Sequence, residues 1–184
     1  MKPFLAMLAL VATLDAMPTP QPTATPDWHV YNDPAMHFRA PDGFFPIGQR
    51  HVAVGDLTED QATTVAGWIY PLKDHVRRLV IQQEYYDGDV SGFDSVLESQ
   101  MRDQFQDAFF KNKEHTTLKN GMPAMFVDMS SGEGFNIQKV FMLIWADGQR
   151  GVVVSVACAL GDLDTNAARA LLTDATAVRY PIGR

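Results

Sequence analysis

The chain has one cysteine, Cys158, so no internal disulfide is open to it and its stability must come from a packed core. The residues around Cys158, Val152 to Leu160, are apolar and lack the cationic neighbours that activate a thiol. Cys158 is expected to be a small buried apolar residue. Positive charge is also scarce: 15 Lys and Arg face 22 Asp and Glu, a formal net charge of −7. That excludes nucleic acid as a partner, because phosphate binding needs clustered cations. The nearest cluster, Lys73 with Arg77 and Arg78, is surrounded by acids and reads as a solvated face.

Signatures of common chemistry are missing as well. His29, His37, His51, His75 and His115 include no pair one or four residues apart, so nothing points to a preformed zinc site. Neither a dinucleotide-binding nor a phosphate-binding glycine loop occurs. The nearest approach to a serine-nucleophile elbow, Ser130-Ser131-Gly132-Glu133-Gly134, falls between two extended runs and reads as a turn. The neighbouring acids Asp87 and Asp89 do not imply acid–base work, since nothing around them predicts burial. No cofactor is implied, and the chain is expected not to be an enzyme. An enzyme whose site is assembled only by the fold remains the alternative.

A long apolar run is absent too. Phe4 to Leu14 holds eleven residues, too short to cross a bilayer. With Lys2 before it and Ala16 behind it, residues 1–16 have the pattern of a secretory signal peptide. Residues 17–27, centred on Met17-Pro18-Thr19-Pro20-Gln21-Pro22, are rich in proline and threonine and predict an extended tether. Residues 28–184 then form one α+β domain of a secreted or periplasmic protein, with no integral span after signal cleavage.

Within the domain the second half is the clearer. Asn120-Gly121 separates extended runs at 115–119 and 122–130, a hairpin signal of the type I′ kind. Two further strands, 135–146 and 151–160, are joined by Asp147-Gly148 and complete an antiparallel meander. Both are apolar on alternate and intervening positions, so they belong in the middle of a sheet covered on both sides. Helical spacing of Phe93, Val96, Leu97, Met101, Phe105, Ala108 and Phe109 predicts a helix from 93 to about 111, and a second is expected over 165–179. Earlier strands are expected at 28–32, 36–40, 50–55, 63–70 and 77–86.

Two kinds of site are worth testing. Asp87, Asp89, Ser91, Gly92, Phe93 and Glu98 occupy the first, third, fifth, sixth, seventh and twelfth places of a calcium loop. The preceding Arg77–Tyr86 run has strand character, where such a loop needs a helix. Strand, turn and helix cap explain the same residues, with Ser91 and Asp94 as a capping pair. Calcium binding is therefore the alternative reading. The other kind is an apolar patch formed by Phe44, Phe45, Trp68, Tyr85 and Tyr86, large residues near predicted turns, facing an unknown protein or a small apolar ligand.

The run Tyr31-Asn32-Asp33-Pro34, followed by His37-Phe38-Arg39-Ala40-Pro41-Asp42-Gly43-Phe44, resembles the opening of PsbP/Mog1/DcrB-like domains. The helix near 92–111, the turn in Leu118 to Ala124, the meander and the closing helix resemble that family too. The resemblance covers about 28–182. It implies an α/β/α sandwich with a central antiparallel sheet, and a non-enzymatic adaptor, assembly or envelope role. The surfaces by which some members attach to photosystem II or a small GTPase have no residue-by-residue match here. The export signal argues against the GTPase-binding branch.

Overall fold

A computed structural model of the chain describes residues 27–33, 36–59, 61–105, 107–132 and 137–178. The expected signal peptide at 1–16, and the expected tether up to residue 26, lie outside them.

Among the described residues, ten strands and two α-helices follow in the order β1 (Val30–Asn32), β2 (Met36–Arg39), β3 (Phe45–Gln49), β4 (Thr63–Pro71), β5 (Val76–Tyr85), α1 (Val90–Gln104), β6 (Phe109–Thr117), β7 (Pro123–Ser131), β8 (Gln138–Ala146), β9 (Arg150–Ala159), α2 (Thr165–Ala175) and β10 (Thr176–Val178). Seven strands make one antiparallel sheet in the order β3-β4-β5-β9-β8-β7-β6. The expected meander is its β9-β8-β7-β6 half. The apolar strands β8 and β9 lie inside it, with cores on both faces. A small sheet, β1-β2-β10, stands apart.

Alternation along the strands sorts side chains to two faces. Trp68, Leu79, Ile81, Phe141, Leu143, Val154 and Val156 point to one face and pack with α2 and with Tyr31, Met36 and Phe38 of the small sheet. Met125, Val127, Met142, Ile144 and Val153 point to the other and receive Phe93 and Leu97 of α1. The architecture is an α+β sandwich: α1, the sheet, then α2 beside the small sheet.

Three expectations about elements need correction. The first helix ends at Gln104, and Phe109 begins β6. Register with β7, from Phe109 opposite Ser130 to Thr117 opposite Pro123, recruits a segment whose local spacing also suits a helix. Phe105 and Phe109 are consequently exposed. The closing helix stops at Ala175, because 176–178 pair with β2 as β10. The strand expected at 50–55 is instead β3 at 45–49, and 54–56 form a short 3₁₀ turn.

The turn at Asn120-Gly121 is wider than a two-residue loop. Leu118 donates to the Met122 carbonyl at 2.9 Å, and Gly121 to the Leu118 carbonyl at 2.8 Å. Gly121 takes φ of 84°, which an L side chain tolerates poorly.

Candidate binding face

The five residues expected to form one apolar patch are not brought together. Phe44 is buried and packs on Tyr70, with ring centroids 5.4 Å apart. Trp68 is fully buried, 5.4 Å from Phe38, and its Nε1 donates to the Trp28 carbonyl at 2.8 Å. Tyr86 lies on the opposite side of the sheet, 5.1 Å from Phe93. Tyr85 is half-buried where β5 ends. Of the five, Phe45 alone is well exposed, at 57%. The period of two in an extended chain explains the split: Phe44 and Phe45 are adjacent, so they turn opposite ways.

The calcium-loop residues sit on the connection after β5 and on helix α1. The segment before Asp87 is β5, a strand, where a helix–loop–helix site needs its first helix. Asp89 is the N-cap of α1, its Oδ1 accepting from the Gly92 amide at 2.8 Å. The cap is therefore Asp89 rather than Ser91. Capping of this kind is worth about 1 kcal/mol.

Asp94 receives Lys113 of β6 at 2.7 Å, and Glu98 is bound by both Lys113 and Arg102. Those two cations hold the Glu98 carboxyl below the usual carboxylate range, Lys113 foremost. Phe93 turns its ring into the core over Gly151. Each of Asp89, Asp94 and Glu98 thus has a protein partner that accounts for its position.

Buried charge is likewise used to join elements. Asp33, after β1, accepts from Tyr31 Oη and Gln83 Nε2, both at 3.0 Å, and from Arg150 at 3.4 Å. It thereby clips the small sheet to β5 and β9. Arg77 grips Asp162 through two hydrogen bonds of 2.7 Å and holds that carboxyl low. Burial pushes the Cys158 thiol up, as expected of an inert buried cysteine.

What the fold does leave open is half of one sheet face. Helix α1 packs on β7 and β8, and among the described residues no helix lies over the same face of β3, β4 and β5. Register defines the face. One row runs Phe45, Ile69, Arg78, Ala157 and Val140; the next runs past Gly67, Val80, Ser155 and Met142. Ile47 overhangs Gly67 and is 64% exposed.

Two depressions mark this surface. One, of about 320 Å³, lies between Ile47, Thr64, Gly67 and Val80. The other, of about 530 Å³, lies by the β4–β5 turn between His75, Arg78, Ala157 and Ala159. Arg78 is exposed and makes no hydrogen bond or ion pair with a described residue. Arg77 and Arg78, adjacent in sequence, therefore play different parts on opposite faces. Ile47 escaped the sequence reading because β3 was expected at 50–55, whereas Arg78 was read as part of a solvated face; alternation in Phe45-Pro46-Ile47 carries the signal once the strand is placed.

This architecture can be compared with solved structures. Cyanobacterial PsbP (CyanoP) from Synechocystis sp. PCC 6803 superposes with a TM-score of 0.59 at 12% identity, covering 87% of this chain and 98% of that one. The chain has the PsbP-like fold. LpqN, described as involved in cell envelope biogenesis of Mycobacterium tuberculosis, superposes with a TM-score of 0.51 at 15% identity, covering 80% of this chain and 87% of LpqN. At these identities the likeness is one of fold. No family model and no curated protein matches the chain. The resemblance noted in the sequence, to PsbP/Mog1/DcrB-like domains, thus holds at the level of fold. No described helix is long and apolar enough to cross a membrane.

Proposed function

We propose that the protein is a non-catalytic binding or assembly module, exported to the cell envelope and held there as a single PsbP-like domain over residues 28–184. The observation that carries the binding role is the half-face of β3, β4 and β5 that no described helix covers, on which Phe45 and Ile47 are exposed. An antiparallel sheet can turn one face to water, but that face then carries mostly polar side chains, and an exposed apolar strip marks an interaction surface. Export is supported by the pattern of residues 1–16 and the proline-rich tether behind it. The shared fold with an envelope-biogenesis protein is consistent with that address. The lack of catalysis is supported by how three of the four buried carboxylates among the described residues are used: Asp33, Asp94 and Asp128 each bind a cation that ties two elements together, Glu84 being the exception.

The test is fractionation of cells producing the full chain with a C-terminal tag, followed by mass determination of the product. A processed chain in the envelope or medium, shortened near Ala16, is the expected result. An unprocessed chain confined to the cytoplasm would refute the envelope reading.

A further inference from the structure

The uncovered half-face has a shape and a charge pattern that narrow down what covers it. Strands in a sheet are about 4.8 Å apart, so β3, β4 and β5 present a strip about 14 Å wide. An α-helix with its side chains is about 10 Å across, and packed helices sit about 8–10 Å apart. A helix laid next to α1, which rests on β7 and β8, would therefore centre near β5, over Val80 and Arg78.

The surfaces bounding that position suit such a neighbour. Small residues, Gly67, Ser155 and Ala157, form the floor in register with Val80 and Arg78, so a helix can approach the sheet closely. Phe45 and Ile47 form one wall. The other is the flank of α1 that carries Val96, which is exposed. Val96 lies between Phe93, over Gly151 of β9, and Gln100, which donates to Glu84 of β5 at 3.2 Å. Residues three and four apart share a helix flank, so Val96 borders the open half rather than β6.

Charge supplies the rest. Arg78 stands in the middle of this strip, opposite Ile69 on one side and Ala157 on the other, with no partner among the described residues. Its guanidinium borders Ile69, Val80 and Ala157 on the sheet and shares the neighbouring depression with Asp74, His75 and Gln138; a carboxylate matches it and can bind it through two parallel hydrogen bonds. A small ligand would fit the strip less well, because sites for such ligands enclose most of the molecule, and this one is an open slot.

We propose that the β3–β4–β5 half-face is the docking slot for one amphipathic α-helix of a protein partner, laid beside α1 with an Asp or Glu on Arg78. This deepens the binding-module reading and rests on it.

The test uses the full chain in cells that make it naturally. A photo-crosslinking p-benzoylphenylalanine replaces Ile47 in one variant and, as control, Asn112 on the exposed edge strand β6 in another. The expected adduct forms at 47 and not at 112. It maps to one segment with apolar residues at helical spacing and an acidic residue among them. A synthetic peptide of that segment then binds the purified domain and becomes helical. Arg78→Glu weakens binding by about tenfold or more, and replacing the peptide's acid with Lys restores it. Because Arg78 is exposed and has no partner among the described residues, thermal melting of Arg78→Glu stays that of the parent.

Four results would overturn the slot: no adduct at 47, an adduct to lipid, an adduct to a second copy of this chain, or peptide affinity indifferent to Arg78→Glu. A processed, envelope-located chain with any of these sinks the slot and leaves the export reading standing. A cytoplasmic chain with a helical adduct does the reverse.

Discussion

The position of α1 decides how much of the sheet face stays open, and it hangs on one close contact. Phe93 is fully buried and its ring lies directly over Gly151 of β9; a methyl group added at Gly151 would fall inside the van der Waals envelope of three ring carbons. Two substitutions and their combination test this. Phe93→Ala removes the ring and is expected to cost about 3–5 kcal/mol in transfer and cavity terms. That is a large part of the roughly 5–15 kcal/mol that holds a domain together. Gly151→Ala overpacks the contact and should cost about 1–3 kcal/mol.

In the Phe93→Ala background the clash is gone, and the same methyl partly fills the cavity. It also restricts an unfolded glycine, a gain of about 0.4–1 kcal/mol. The double variant is therefore expected to be as stable as, or more stable than, Phe93→Ala alone. That corresponds to a coupling of about 1–3 kcal/mol, the scale found for residues in direct contact. The assay is urea unfolding followed by circular dichroism, with unchanged m-values as the check that all four proteins unfold alike. Phe93→Leu replaces Phe93→Ala if the latter does not fold. Simple additivity, with Gly151→Ala equally harmful in both backgrounds, would refute the placement of α1 and with it the outline of the open half-face.

Two other outcomes are expected. Glu84 is buried on β5, one of its oxygens has no hydrogen-bond partner, and burial raises its pKa. Its folded state therefore holds a proton that the unfolded chain loses first, so its contribution is full below the unfolded pKa of about 4.3 and fades as pH rises through the folded value. Glu84→Gln should flatten the fall in stability above that pH and stabilise the domain at pH 7 by about 1 kcal/mol; an unchanged pH profile in chemical denaturation would contradict this. Asp33→Ala should cost about 3 kcal/mol or more, because Tyr31, Gln83 and Arg150 all lose an acceptor in a buried place. Asp33→Asn, which keeps part of that capacity, should cost less when both are measured by urea unfolding.

Legibility in the sequence varied with the range of the interaction responsible. The β7–β9 meander could be read because each of its strands pairs with its chain neighbour across a connection marked by glycine, as at Gly132 and Gly148. The start of strand β6 could not: Phe109 continues the helical spacing of Phe105 and Ala108, and only the β7 edge decides for the strand, whose end at 115–117 the hairpin signal did mark. Strand β10 was hidden for the same reason, since its partner is β2, far away in sequence. The candidate patch failed at another point. Choosing large apolar residues near turns took no account of strand parity, and parity sends Phe44 and Trp68 inward while leaving Phe45 and Ile47 outside.

The order of letters alone settled the balance of charge, the apolar start and proline-rich stretch before Trp28, the alternation that requires a sheet, and the buried fate of Cys158, because each depends on composition or on neighbours within a few positions. Folding alone decided that Arg77 is tied to Asp162 while Arg78 has no partner among the described residues, and that no described helix covers the β3–β4–β5 half of the face on which α1 lies. Those outcomes depend on which distant strands lie side by side, and pairing across such separations is fixed by the packing of the whole rather than by any local run.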